Sequence, residues 1–257
     1  MSAEMFWVEG DRLEWLLDHP LCAAMPSSGG VSAERTQSIL QPILLLDNMI
    51  IDGRARRREA VRLRLRCPCL DYEAQQQFGH PAMTVVHANR ARFDNPQRVV
   101  VAARVAMAVL KKPAWLAAHD RGFAARLLTR NGRRPFLVAA GISDRNYLRA
   151  MGVRHHPELL EAVFDGLVSL DHAFRMRELA LVTRRRIIEL PRAEQQDAID
   201  AALERLAKRQ LPLPGFRSKS GRAARVFSRT FTHELGHYFA APRDASERPS
   251  TGEDDEQ

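Results

Sequence analysis

A change of residue pattern near residue 112 limits the fold more than any other feature of the sequence. Before it, short apolar runs at residues 43–46 and 49–51 flank Asp47-Asn48, which is the pattern of two strands joined by a tight turn. After it, apolar residues recur at helical spacing and strand patterns almost disappear. We therefore predict an α+β fold, in which a small mixed domain precedes an all-α domain.

The predicted domain boundaries follow from this change. Residues 1–112 form the first domain, with a core at about 19–112, and residues 113–210 form the helical domain. The Leu- and Pro-rich stretch 211–215 begins a tail, residues 211–257, that is first basic and finally acidic. We expect this polar, charged tail to be partly disordered.

The first domain is expected to alternate strands and helices. After the hairpin, a helix runs from Gly53 to about residue 66 and a strand follows at 67–72. A β-branched run at 83–87 predicts a further strand, and a long Ala-rich helix begins at about Pro96.

The helical domain is divided by its turn signals. The sequence Gly132-Arg-Arg-Pro135 predicts a break between helices. Later helices are expected at residues 136–140, 144–151, 157–164, 170–183 and 192–209.

Cysteine content and hydropathy indicate the compartment. The three cysteines, Cys22, Cys67 and Cys69, are too few for a disulfide framework, and no second Cys or His pair at finger spacing accompanies Cys67 and Cys69. No apolar run approaches the roughly 20 residues of a membrane span, and the first residues carry acids where a secretion signal is basic. We expect a cytoplasmic protein with buried thiols and no membrane partner.

The charge balance indicates the class of partner. Lys and Arg total 39 against 31 Asp and Glu, which gives a net charge of +8, and only four of the basic residues are lysines. Arginine suits bidentate contacts to phosphate and guanine, so a polyanionic partner is one explanation. Arginine enrichment by a GC-rich genome is the other explanation, and composition does not separate them.

The densest cluster of charge lies where a strand turns into a helix. Gly53 lets the backbone approach a ligand there, and the unpaired N–H groups of a helix start attract anions. The candidate phosphate-binding residues are Gly53, Arg54, Arg56 and Arg58. The alternative is a solvated basic helix face.

A second polar cluster follows the run at 83–87. Asn89 and Arg92 are three residues apart and are therefore able to face one site. An amide can help to hold a metal-bound phosphate, and a guanidinium can bind the phosphate itself. The two clusters together predict a phosphate site in the first domain.

These residues resemble those of the ParB/sulfiredoxin-like domain. The resemblance rests on the order and spacing of residues 40–46, 50–56 and 85–92, preceded by His19-Pro20 and followed by residues 96–98. Members of the partition type bind CTP with Mg²⁺ between a Gly-x-Arg-Arg box and an Asn-x-x-Arg box, and nucleotide state switches a DNA clamp.

The resemblance implies roles for particular residues. The first box matches Gly53, Arg54, Arg56 and Arg58, and the second box matches Asn89 and Arg92. The acid that commonly precedes the asparagine is Ala88 in this chain. We therefore expect nucleotide binding without appreciable turnover.

The helical domain contains a helix-turn-helix pattern at residues 136–151. A short helix, a turn at Gly141 and an N-cap at Ser143 lead into a second helix whose residues Tyr147, Leu148 and Met151 are expected to face inward. The candidate DNA-binding residues are Ser143, Arg145, Asn146 and Arg149. An ordinary helical hairpin is the alternative, but residues 157–170 resemble the segment that follows the helix-turn-helix in ParB relatives.

One motif in the tail indicates a different chemistry. His233-Glu-Leu-Gly-His237 places two histidines at zinc-ligand spacing on a helix, with Glu234 as a general base. A catalytic zinc needs a third protein ligand and a shaped cleft, and the acidic, Pro-containing end offers neither. We do not expect zinc at His233 and His237.

The sequence therefore predicts a ParB-like protein that binds double-stranded DNA in plasmid or mobile-element partition or in transcription regulation. The resemblance implies a homodimer, a partition ATPase as a further partner, and a nucleoid- or plasmid-associated location. The alternative is an enzyme, either a nucleotide-hydrolysing ParB-fold protein or a zinc metallopeptidase.

Overall fold

A computed structural model of the chain describes residues 5–23, 41–72, 79–111 and 122–210. Residues 209 and 210 are described by their backbone only. The strands are β1 (Phe6–Val8), β2 (Ile43–Leu46), β3 (Met49–Asp52) and β4 (Cys67–Asp71). The helices of the first half are α1 (Gly10–Leu13), α2 (Pro20–Ala23), α3 (Arg54–Leu63), α4 (Pro81–Ala88) and α5 (Asn95–Leu110). Those of the second half are α6 (Phe123–Leu128), α7 (Arg130–Ala140), α8 (Asp144–Gly152), α9 (Pro157–Phe164), α10 (Leu170–Met176), α11 (Leu181–Ile188) and α12 (Arg192–Gln210). The predicted α+β class is confirmed.

The described strands form one mixed sheet in the order β1-β4-β2-β3. β2 and β3 are the predicted hairpin, and β2 runs parallel to β4. Both turn residues, Asp47 and Asn48, have positive φ angles of 50° and 59°. Two such residues give a turn whose twist matches that of the flanking strands, and Asp and Asn tolerate this conformation better than most residues.

Alternate residues of β2 enter different cores. Ile43 and Leu45 pack with Ala60 of α3, whereas Leu46 packs with Val85 of α4 and Val101 of α5. Because side chains alternate along a strand, the sheet is covered by α3 on one face and by α4 and α5 on the other. This arrangement brings the start of α3 and the end of α4 to the same sheet.

Helix α5 is the centre of the helical packing. Its start is a capping box, in which Asp94 accepts a hydrogen bond from the Gln97 N–H group at 2.9 Å. Val101 and Val105 join the core that contains Phe136, whereas Val99 enters the core of the later helices. The described residues up to 207 accordingly group into one compact unit. The predicted boundary between residues 112 and 113 lies outside the described residues.

The strand predicted at residues 83–87 is wrong, because these residues belong to helix α4. The side chain of His80 accepts a hydrogen bond from the Ala82 N–H group at 3.1 Å, and Pro81 occupies the first turn. The buried residues of this helix are Pro81, Ala82, Val85 and Val86. This spacing places them on one helical face, so tertiary burial overrides the β preference of the branched residues.

Two predictions in the helical half are also wrong. The expected break at Gly132-Arg-Arg-Pro135 lies inside helix α7, which begins earlier because Thr129 accepts a hydrogen bond from the Gly132 N–H group at 3.1 Å. The single helix expected at 170–183 is two helices, α10 and α11, separated by residues 177–180. Among the described helices, none is long and apolar enough to cross a membrane.

Candidate functional site

The two predicted phosphate clusters meet at Asp52, the last residue of β3. The Asp52 carboxylate lies 2.5 Å from Arg56 Nη2 and 3.6 Å from Arg92 Nη1. Arg92 Nη1 also lies 3.4 Å from Asn89 Oδ1, to which it donates. We call Asp52, Arg56, Asn89 and Arg92 the Asp52 cluster. It joins the start of α3 to the end of α4, although the chain separates these elements by a strand.

Gly53 places Arg56 beside Asp52. Gly53 is the N-cap of α3 and has a φ angle of 104°, which L side chains rarely adopt. A Cβ at this position would lie 3.1 Å from the Ile43 Cα and 3.2 Å from the Arg56 Nε. Glycine therefore allows the tight turn from β3 into α3 and leaves space for the Arg56 side chain.

Asn89 orients Arg92. Its buried side chain donates from Nδ2 to the Val85 carbonyl oxygen at 2.8 Å, so its Oδ1 atom is turned toward Arg92. Asn89 is the C-cap of α4 and does not follow a strand as predicted. The three-residue spacing to Arg92 nevertheless places both side chains at one site, as expected.

A second acid, Asp18, balances part of the charge beside the cluster. Its carboxylate lies 3.7 Å from Arg54 Nη1 and 3.6 Å from Arg57 Nη1. Arg57 also donates a hydrogen bond to the Leu16 carbonyl oxygen. Four guanidinium groups thus face two carboxylates, which leaves two more positive than negative charges. The remaining candidate of the first box, Arg58, is exposed.

Asp18 and Asp52 were missed as site residues by sequence reasoning. Asp52 immediately precedes Gly53, so its position beside the first box was visible in the sequence. Its contact with Arg92 depends on how α4 packs on the sheet, and no local pattern indicates that packing. Asp18 directly precedes His19-Pro20, the first residues of the ParB/sulfiredoxin-like resemblance. No sequence motif marked Asp18 as a site residue.

Helices α7 and α8 are joined by the turn that the sequence predicts at Gly141. Gly141 has a φ angle of 65° and ends α7, and Ser143 accepts a hydrogen bond from the Asn146 N–H group at 3.2 Å to begin α8. Tyr147 is buried, and its ring packs edge to face against Phe136 with centroids 6.3 Å apart. The inward positions of Tyr147, Leu148 and Met151 are confirmed by their places in the core.

A bidentate ion pair fixes one helix of this arrangement on the other. Arg133 of α7 places Nε 2.5 Å and Nη2 3.1 Å from the two carboxylate oxygens of Asp144, the first residue of α8. Arg133 Nη1 also donates to the Leu128 carbonyl oxygen at 3.3 Å. These hydrogen bonds from Arg133 hold the pKa of the Asp144 carboxyl below its ordinary value. Sequence reasoning missed Arg133 because it treated residues 132–135 as a break.

The candidate DNA-binding side chains are exposed to different degrees. Arg145 is exposed, Asn146 is half-buried, and Arg149 lies 2.8 Å from Asp171 of α10. Helix α7 adds two exposed arginines, Arg130 and Arg134. Within the described residues, no ion pair involves Arg130, Arg134 or Arg145. This surface therefore carries three arginines that take part in no ion pair with the described residues.

The metal and thiol expectations concern other parts of the chain. His233 and His237 lie outside the described residues. Burial raises the pKa of Cys22 to about 11 and that of Cys69 to about 12, so both thiols are protonated at neutral pH. All three cysteines are free and buried, as predicted.

Comparison with known proteins gives no relative: no family model, no curated protein and no solved structure matches this chain. The resemblance to the ParB/sulfiredoxin-like domain therefore stays a prediction that rests on the motifs quoted above.

Proposed function

We propose that the chain is a DNA-binding protein that inserts helix α8 into the major groove of double-stranded DNA. The observation that carries this proposal is the geometry of α8: it is capped by Ser143, packed inward by Tyr147 and tied to α7 by Arg133. Arg145 and Asn146 project from its first turn. A helix held in this way and exposing such residues at its start is suited to read base edges.

The chemistry of the exposed residues fits DNA. Arginine reads guanine O6 and N7 through two hydrogen bonds, and asparagine reads adenine N6 and N7 in the same manner. Arg130 and Arg134 on α7 supply positive charge for phosphates, which sets affinity rather than sequence preference. Arg149 is held by Asp171, so we assign base reading first to Arg145 and Asn146.

The biological role that we propose is partition or transcription regulation of a plasmid or mobile element, on the resemblance to ParB relatives. This role implies a homodimer that binds paired half-sites, a nucleoid- or plasmid-associated location, and a partition ATPase as partner. Its alternative is an enzyme, which would turn over nucleotide or hold zinc at His233 and His237.

The replacement Arg145→Ala is expected to weaken binding to the preferred DNA site by about 1–3 kcal/mol and to weaken binding to random duplexes less. The preferred site is obtained by selection from random duplexes with the wild-type protein, and affinity is measured by fluorescence anisotropy. Arg186→Ala removes the same charge from an exposed position of α11 and is the matched control. Equal weakening on every duplex would make Arg145 a phosphate contact. If the wild-type protein selects no site and binds no duplex, the proposed function is wrong.

We propose a second, linked function for the Asp52 cluster, which is to bind the phosphates of a nucleotide. The surplus of guanidinium groups over carboxylates fits an anion. The resemblance implies CTP with Mg²⁺, and the metal ion would neutralise phosphate charge. No three His, Cys, Asp or Glu side chains of the described residues are grouped to hold a metal ion, so phosphate oxygens would supply most of its ligands.

Binding at the Asp52 cluster requires a phosphate to compete with an internal carboxylate. Arg56 is buried against Asp52, whereas Arg92 is 45% exposed and is the more accessible of the two. An entering phosphate would therefore meet Arg92 first, while Asn89 keeps that guanidinium directed toward Asp52. With Ala88 in place of an acid, we expect binding without appreciable hydrolysis.

CTP with Mg²⁺ is expected to raise the melting temperature, and Arg92→Ala and Arg56→Ala are expected to abolish the rise. Saturation at 100 times the dissociation constant stabilises a folded protein by about 2.7 kcal/mol, which thermal unfolding detects easily. Arg92→Ala is the safer variant because its side chain is partly exposed, and Arg186→Ala again controls for lost charge. Failure of every nucleoside triphosphate to shift the melting temperature would refute this function and leave DNA binding untouched. Steady hydrolysis that survives Asn89→Ala would favour the enzyme alternative.

A further inference from the structure

The side chain of Arg90 crosses from the loop between α4 and α5 to the turn between α7 and α8. A Cβ placed on Gly141 would lie 2.6 Å from the Arg90 Nε and 3.1 Å from its Cδ and Cζ. The Arg90 side chain therefore lies flat against the α carbon of Gly141. Glycine at this turn adopts the left-handed backbone conformation without strain. It also leaves space for an arginine from the other half of the chain.

Arg90 keeps its charge at the surface. Arg90 is exposed, and within the described residues its guanidinium takes part in no ion pair. The aliphatic part of an arginine side chain can cover an apolar turn while its guanidinium group remains in water. The neighbouring Asn89 and Arg92 belong to the Asp52 cluster, but Arg90 itself faces the helix-turn-helix.

A second arginine lies beside the same turn. Arg98 of α5 lines a small surface hollow together with Asn89 and Ala140, the residue before Gly141. Its Nε atom is buried and has no hydrogen-bond partner among the described residues. Two arginines from the first half of the chain thus flank residues 140 and 141, and Arg90 is the one whose side chain is exposed.

The position of this turn indicates which part of a bound DNA duplex would lie near these arginines. Gly141 lies two residues before Ser143, the N-cap of α8, and the N-terminal end of such a helix is the part that enters the groove. The DNA backbone borders the groove at that end, and arginine binds phosphate through paired N–H groups.

We propose that Arg90 contacts a DNA phosphate beside the groove occupied by α8, with Arg98 as a second cation at the same place. The proposal rests on DNA binding by α8 and adds a contact from outside the helix-turn-helix. It extends the DNA surface to the loop that also carries Asn89 and Arg92.

The test is the salt dependence of DNA binding by the full chain and by Arg90→Gln, measured on the selected site and on a random duplex. Each phosphate contact contributes about 0.9 to the slope of log affinity against log salt. We expect Arg90→Gln to lower this slope by about one and to weaken binding equally on both duplexes. Arg90→Lys is expected to retain the slope, and Arg186→Gln is the control for lost charge.

The outcomes separate this proposal from the one on which it rests. If the wild-type protein binds no duplex, both proposals fail. If the wild-type protein binds and Arg145→Ala changes its sequence preference, but Arg90→Gln leaves the salt slope unchanged, the Arg90 proposal alone is overturned. A melting temperature lowered equally by Arg90→Gln and Arg90→Lys, with the slope of wild type in both, would make Arg90 a packing residue and would also overturn it.

Discussion

Phe136→Ala is expected to lower the free energy of unfolding by about 3–5 kcal/mol, the usual cost of removing a fully buried phenylalanine. The Phe136 side chain is completely buried, and its ring packs edge to face against Phe123 at 6.2 Å and against Tyr147 at 6.3 Å. The same core contains Val85 and Val101, from helices before residue 112. Truncation leaves a cavity where helices of both halves of the chain meet.

The measurement is urea denaturation at neutral pH, with Val138→Ala as the matched control. Val138 lies on the same helix but is 65% exposed, so its truncation should change stability by no more than about 0.5 kcal/mol. A loss below about 1 kcal/mol for Phe136→Ala would contradict the shared core. It would mean that α7 does not pack on α4 and α5 in the folded protein.

Local chemistry made part of this structure predictable. Asp47 and Asn48 tolerate the positive φ angles of a two-residue turn, so the hairpin could be placed from these two residues and their apolar neighbours. Ser143 and Gly141 mark the start of one helix and the end of another by hydrogen bonds within a few residues. The turn and the two helix boundaries depend on residues that are close in sequence, so they can be predicted from the sequence alone.

The errors arose where packing overrides local preference. Residues 83–87 are rich in β-branched side chains, but the burial of one helical face in the core decides their conformation. Gly132 and Pro135 are helix breakers by propensity, yet Thr129 caps the helix early enough for both to lie within it.

The candidate site could be predicted only in pieces. The two motifs supplied Arg56, Asn89 and Arg92 by residue type and spacing. Their meeting at Asp52 needs β3, α3 and α4 to be assembled on one sheet, and so does the approach of Arg90 to Gly141. Such contacts depend on tertiary structure, which spacing along one sequence does not specify.

Arg133→Met is expected to lower the free energy of unfolding by about 2–3 kcal/mol and to abolish selective DNA binding. Breaking a buried ion pair by removing one partner costs about 3–5 kcal/mol, and we expect a smaller loss here because Asp144 is 35% exposed and can be hydrated. The variant loses the two hydrogen bonds that tie α7 to the first residue of α8. Arg186→Met, at an exposed position of α11, is the control for lost charge.

The pH dependence of this effect identifies the ion pair as its cause. Because Arg133 lowers the pKa of Asp144 in the folded state, the stabilisation is fully present above the ordinary aspartate pKa of about 3.9 and is lost as the pH falls through the lowered value. The stability difference between wild type and Arg133→Met should therefore be largest at neutral pH and shrink below about pH 4. The double variant Arg133→Met/Asp144→Asn should lose less than the sum of the two single variants, because the two residues share one interaction. Additive losses, with a difference that does not change in acid, would show that Arg133 acts through packing alone.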